Sequence, residues 1–450
     1  MSTFLKWAGM LAVLFAPGLL MAQAPAAAAE PPKIDGANTT WLLVSTALVM
    51  LMTPGLAFFY GGMVRKKNVL GTIMHSFIAL CVVSVVWVVV GYSLSFSPDL
   101  IQGFVGGFKW VMLNGVTFNA DTYETVKAYT AAGVPHMGYM IFQMMFAVIT
   151  PALITGAFAE RFKFSTYIVF LVLWSILVYA PLAHSVWAGT GWLFNLGALD
   201  FAGGLVVHMS SGFSALVAVL IIGKRKGFGQ VTMEPANPAF TVLGAALLWF
   251  GWFGFNAGSA IATGQLATSA FVVTHLATAA AGLTWMFAEW VKKKKPSTIG
   301  AASGAVAGLV AITPASGFVS PTAALIIGAV AGIVCFLGIH IKTLFGYDDS
   351  LDVVGVHGVG GAWGAIAAGL FAGWMVDPSA GIAPAYMTGL FHTGSFAQLG
   401  KQLVGVGFTF VYSIAVTAVI LLVLKFTIGL RVKDSDEEKG LDSSMHGESM

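Results

Sequence analysis

Charge is what this 450-residue chain has least of: 9% of its residues are Asp, Glu, Lys or Arg, against about a quarter in a soluble domain. So few charges cannot keep a fold of this size in water, and the net +3 supplies no basic stripe for nucleic acid. Cysteine is almost missing as well. Cys81 and Cys335 lie in apolar runs, so no disulfide framework is implied and both read as inert core residues. Short alternating segments of the kind that wall a membrane β-barrel are absent too. What is present is hydrophobic: 58% of residues, a mean hydropathy of +0.86, and repeated apolar segments of roughly 20 residues, the length that crosses a hydrocarbon core as a helix. Backbone groups in lipid must be satisfied internally, so the fold class is an all-α membrane protein.

The first 24 residues stand apart. Lys6, an apolar stretch and the small-residue pattern Ala22-Gln23-Ala24 read as a cleaved secretory signal, followed by the linker-like "APAAAAEPP". Spans are then predicted near 38–61, 69–96, 137–159, 165–184, 200–222, 237–258, 264–290, 298–313, 320–341, 353–375 and 402–429, eleven in all, forming one transmembrane domain over 25–430 with a tail over 431–450. Every second connection is basic: "RKKN" (65–68), "ERFK" (160–163), "GKRKG" (223–227), "KKKK" (292–295) and the tail from Arg431. With Lys6 in the leader and Lys33, Lys109, Lys127 and Lys401 opposite, seventeen of 22 basic residues share one side. The positive-inside rule makes that side cytoplasmic, with the N-terminus outside and the C-terminus inside. The "KKKK" run reads first as this topology signal, with a lipid or partner contact as the alternative.

Five helices followed by five more places the second set upside down, with the last helix an addition. Helices five and ten then correspond, and they look alike: "ALDFAGGLVVHMSSG" opens one and "SLDVVGVHGVGGAW" the other. Such inverted repeats put a substrate path at the repeat interface near the bilayer middle. Asp200 stands at its helix start, where a carboxylate caps free N–H groups and faces the positive end of the helix dipole. His208 follows about 12 Å along the axis, and His357 follows Asp352 from the opposite face. One intramembrane histidine is often only a helix-to-helix hydrogen bond. Two at matching positions, flanked by Gly, point to function. His75, His275 and His340 read as satisfied core groups, and His136, His184 and His392 as outer-end residues.

"FYGGMVRKKN" (59–68), "DFAGGLVVH" (200–208), "WFGFNAGS" (252–259), "GVHGVGG" (355–361), "GLRV" (429–432) and "EKGLDSSMHGE" (438–448) together resemble the bacterial ammonium transporter family, within the Amt/Mep/Rh superfamily, over nearly the whole mature chain. The resemblance implies a transporter rather than an enzyme, with no cofactor or metal, assembled as a homotrimer in the bacterial inner membrane. It places substrate recruitment on Phe146, Trp187 and Ser259, the gate on Phe146 and Phe255, and the pore on His208 and His357. Without it, Phe142 with Phe146 and Trp252 with Phe255 would be packing stripes; with it, Phe142 and Trp252 stay core. It further implies that the tail packs under the pore and helps dock a trimeric nitrogen-signalling protein of the PII type. Two rivals stay open on the residues alone: haem ligation by the histidine pair, and a sensor that binds ammonium but transports little.

Overall fold

A computed structural model describes residues 33–120, 126, 132–373 and 388–450. The signal reading over 1–24, the linker after it, Lys127 and the last two residues of the 353–375 span lie outside the described residues.

The described chain is almost entirely helical. The apolar spans are α1 Gly36–Met63, α2 Lys66–Phe96, α3 His136–Phe158, α4 Phe164–Leu196, α5 Gly204–Ile222, α6 Pro238–Ala260, α7 Gln265–Lys293, α8 Thr298–Ile312, α9 Pro321–Phe345, α10 Val354–Phe371 and α11 Ala397–Thr427. Ten are long and apolar enough to cross a bilayer, and α8, at 15 residues, is shorter. Two short tail helices follow, α12 Asp434–Lys439 and α13 Leu441–Met445. The boundaries have local causes. Asp35, Asn237, Ser297 and Ser320 each accept a hydrogen bond from the first turn of the helix they precede, and Pro238 and Pro321 open helices where no N–H is needed. A small hairpin pairs Asp99–Ile101 with Val105–Gly106, which the all-helical reading did not foresee.

α3 is the buried axis: all but two of its 23 residues are enclosed. Around it the connections sort to two ends. At one end the loops after α1, α3, α5 and α9 meet in an ion network. Glu160 takes Arg65 at 2.6 Å and Arg225 at 3.3 Å, while Asp348 takes Arg225 at 2.8 Å. The tail joins them through Lys226–Glu438 at 2.6 Å, and holds its own Arg431–Glu437 pair at 2.7 Å. At the other end Asn38 binds Ala132 O and Thr263, His184 binds Asp99, and Gln398 binds Gly197 O. Four of the five basic connections that the sequence puts on one side, those at 65–68, 160–163 and 223–227 and the tail, are therefore neighbours in space, while Lys293 of the KKKK run pairs with Glu289 on its own helix.

Two core assignments are corrected. Cys81 is exposed on α2 while Cys335 is buried, and His275 is exposed on α7, its ring lying beside Trp249 and Phe253. Both helices run along the bundle perimeter, where lipid replaces protein as the apolar neighbour. α5 and α10 instead cross with backbones in contact: a Cβ on Gly212 would collide with the backbone of Gly358, and one on Gly361 would stand 3.0 Å from His208 Cβ. That crossing sets the depth of both His208 and His357.

Candidate functional site

The site is built downward from residues 197–203. Gly197 ends the preceding helix at φ +84°, and Gly203 turns back at φ +118°, a left-handed conformation open to Gly without strain. The short extended segment between them carries Asp200. Its Oδ1 accepts from the N–H groups of Gly203 (2.9 Å) and Gly204 (2.5 Å), and its Oδ2 from those of Leu205 (2.8 Å) and Val206 (3.2 Å). One carboxylate thus satisfies all four free donors of α5, as the capping reading anticipated. Its backbone carbonyl does a second task by accepting Trp187 Nε1 at 2.9 Å, which fixes the indole.

Trp187 forms one wall of a small pocket with Phe146, Ser259, Gln143, Phe201 and Ile261. Phe146 meets Trp187 edge-on at 5.9 Å and lies over Phe255 at 4.3 Å, 31° from parallel. Ser259 Oγ donates to Phe255 O at 2.8 Å, leaving its lone pairs as acceptors. Phe142 is fully buried behind Phe146, at 5.0 Å and 66°. The three expected recruitment residues and both gate rings therefore come together. Gln143, Phe201 and Ile261 escaped sequence reasoning because none belongs to a quoted motif except Phe201, which looks like an ordinary apolar position.

Beneath the Phe146–Phe255 stack is a second cavity of about 10 Å³, lined by Phe255, Trp252, His208, His357, Leu56 and Leu153 among others. His208 Nδ1 and His357 Nδ1 are 3.3 Å apart, their rings 5.4 Å between centroids and 23° from parallel. Among the described residues His208 Nε2 has no hydrogen-bond partner. A cavity with room for one water-sized sphere cannot seat a porphyrin between these rings, so the haem rival is discarded. Trp252 is buried in the core, as expected, and also walls this cavity. Its indole stacks on His208 at 5.3 Å and 20°, held by Nε1 donating to Thr313 Oγ1 at 2.9 Å.

The counterpart of Asp200 also differs from expectation. Asp352 has φ +64° and pairs with Lys342 at 2.5 Å, away from any capping role. Asp349 is the buried carboxylate at the head of α10, its Oδ2 accepting Val354 N at 2.8 Å. Asp200 precedes His208, and Asp349 precedes His357, by the same eight positions. Both helices begin with a π turn that contains the histidine, Gly204–Met209 and Val354–Val359.

The tail closes on the opposite end. Asp442 accepts from Leu70 N (3.1 Å) and Gly71 N (2.8 Å) at the start of α2, Asn68 Oδ1 accepts from Leu441 N at 2.8 Å, and Glu437 accepts from Lys226 N at 2.6 Å. In the network above it, burial would raise Asp348, but Arg225's hydrogen bonds and the charges of Arg161 and Arg225 hold its carboxyl below the usual range. Burial lowers the Arg161 guanidinium to about 10.

Known proteins match this chain over most of their length. The family model described as Ammonium Transporter Family matches residues 40–450. An ammonium transporter of Bacillus subtilis is 50% identical over 412 residues, 91% of this chain and 97% of the relative. One of Aquifex aeolicus is 48% identical over 424 residues, 93% and 94% of the two chains. Among solved structures, Candida albicans Mep2 superposes with a TM-score of 0.82 at 37% identity, covering 90% of this chain and 88% of that one. By family match, identity and fold alike, the chain belongs to the ammonium transporter family.

Proposed function

We propose that this protein takes up ammonium by drawing the cation to Phe146, Trp187 and Ser259, removing its proton near the Phe146–Phe255 gate, and conducting ammonia past His208 and His357, with the proton moving separately so that net uptake is electrogenic. The single observation carrying this reading is the order of parts along one line: aromatic pocket, stacked phenyl rings, paired imidazoles. Ammonium is protonated at neutral pH like a lysine head group, and an aromatic face attracts such a cation by up to about 2 kcal/mol once water is excluded. Carrying the bare cation onward through an apolar channel would cost tens of kcal/mol in the idealised limit, which ammonia avoids. The imidazoles then supply polar contact in a dry channel.

On this reading α8 counts as an eleventh crossing, α1–α5 and α6–α10 are inverted repeats with α11 added, and the ion-network end faces the cytoplasm of a bacterium, below the inner membrane. The equal Asp200–His208 and Asp349–His357 spacing supports the repeat. The assembly is a homotrimer, and its packed tail is the docking surface for a PII-type partner. An ammonium pulse applied to proteoliposomes tests the transport cycle: a saturable inward current is expected, and ammonia entry without current would replace the electrogenic step by neutral conduction.

A further inference from the structure

Above the aromatic pocket opens a vestibule of about 530 Å³, lined by Trp187, Ser259, Asp200, Phe201, Phe318 and Lys401 among others. Lys401 is out of place there: it is a primary ammonium standing at the mouth of a path for ammonium. Its helix is pinned, not adrift. One turn before and one residue after it, Gln398 Nε2 donates to Gly197 O at 2.9 Å, and Gln402 accepts from Leu199 N at 2.6 Å and donates to Leu199 O at 2.8 Å. α11 therefore holds Lys401 against the segment that leads into Asp200, with Nζ 3.0 Å from where a Cβ of Gly197 would be. Lys401 forms no ion pair or hydrogen bond among the described residues. Among the described residues the one acidic side chain lining the vestibule is Asp200, which is buried and has its carboxylate committed to four N–H groups.

We infer that Lys401 is an electrostatic brake on cation entry, a specificity-determining residue that sets how much ammonium, and how little of any multivalent cation, occupies the vestibule before recruitment. The inference rests on the proposed uptake through this mouth. A volume of about 530 Å³ is that of a sphere roughly 10 Å across, so any cation inside it feels this charge. Across roughly 6–10 Å, with an effective dielectric constant of about 40–80, Coulomb's law gives about a two- to tenfold change in local cation occupancy. The effect must fade with salt, since the screening length falls from about 30 Å at 0.01 M to about 3 Å at 1 M.

The experiment is a charge series, Lys401→Arg, Lys401→Gln and Lys401→Glu, with ammonium-evoked currents recorded from proteoliposomes at low and high sodium chloride. At low salt the half-saturating ammonium concentration should fall about two- to tenfold in Lys401→Gln, further in Lys401→Glu, and stay at the wild-type value in Lys401→Arg. All four proteins should converge at high salt, with unchanged maximal current and melting temperature. Equal half-saturation across the series at low salt overturns the inference. So does a shift that ignores the sign of the charge, survives high salt, or tracks a lowered melting temperature, which would mark Lys401 as a structural partner of the Gly197 carbonyl end. If wild type gives no ammonium current at all, the uptake reading itself fails.

Discussion

Replacing Asp200 by Asn keeps its size and shape but turns one of its two oxygens into a donor. Each oxygen serves two N–H groups, so two of the four capping bonds become donor facing donor at the head of α5. Hydrogen bonds inside membrane proteins average about 0.6 kcal/mol and reach about 1.7 kcal/mol, and an unsatisfied buried donor costs about 1–3 kcal/mol. Two losses therefore come to about 2–4 kcal/mol, a large share of a total stability of about 5–15 kcal/mol. The substitution also removes a unit negative charge beside the Trp187 wall, whose indole hangs on the Asp200 carbonyl. We expect the melting temperature, followed by tryptophan fluorescence in detergent, to drop by about 2–8 °C and the ammonium current in proteoliposomes to fall in the same preparation. Asp200→Glu, which keeps both oxygens on a longer stem, should recover part of the stability. An Asp200→Asn protein with wild-type melting temperature and wild-type current would show that the carboxylate neither caps α5 nor shapes the mouth.

Three further outcomes follow from other parts of the molecule. His208→Asp puts a counter-charge in the pore that offsets part of a cation's desolvation; the variant should carry ammonium and begin to admit rubidium, and a variant that excludes rubidium as well as wild type does would remove selectivity from the neutral pair. Deletion after Arg431 removes Glu437 and Asp442, leaving Leu70 N, Gly71 N and Lys226 N without their carboxylates; the protein should stay folded with reduced current and no binding of a PII-type partner, and undiminished co-purification of that partner would refute the docking role. Asp348, held below the usual carboxylate range by Arg225 and Arg161, contributes stability that is present above about pH 4 and lost as pH falls through its folded value. Asp348→Asn should flatten that acid limb and cost about 3–5 kcal/mol at neutral pH, because Arg225 and Arg161 stay buried with less compensation; melting curves between pH 3 and 8 check both.

The spans, the basic end and the Asp200 cap were readable from sequence because each depends on local chemistry: an apolar run, a cluster of Lys and Arg, a carboxylate before free N–H groups. The pairing of His208 with His357 was readable because two Gly-flanked histidines in similar contexts are rare in apolar helices. Asp349 was hidden by a decoy, since Leu351-Asp352 copies the Leu199-Asp200 dipeptide while the true match lies in the spacing to the histidine. Trp252 was hidden because an aromatic three residues before Phe255 looks like one packing stripe. Cys81 and His275 were misplaced for a general reason: lipid tails are as apolar as a protein core, so a perimeter face and an inner face carry the same kind of residue. What separates them is which neighbour arrives, and that is a property of the assembled bundle.

The contact between His208 and His357 joins like atoms, Nδ1 to Nδ1 at 3.3 Å, and this has a consequence for bookkeeping of hydrogens. A neutral imidazole carries one N–H, so across that contact one ring must hold its hydrogen at Nδ1 and the other at Nε2. The two outward nitrogens are then always unlike, one bare and one protonated. A proton taken at the bare end and released at the far end shifts the shared hydrogen across the contact and leaves the pair in its mirror tautomer. In that state the same end is filled and a second proton cannot follow. On the proposed proton route the pair would thus have two settings, a turnstile that must be reset, by ring reorientation or by traffic in the reverse sense, before it can turn the same way again.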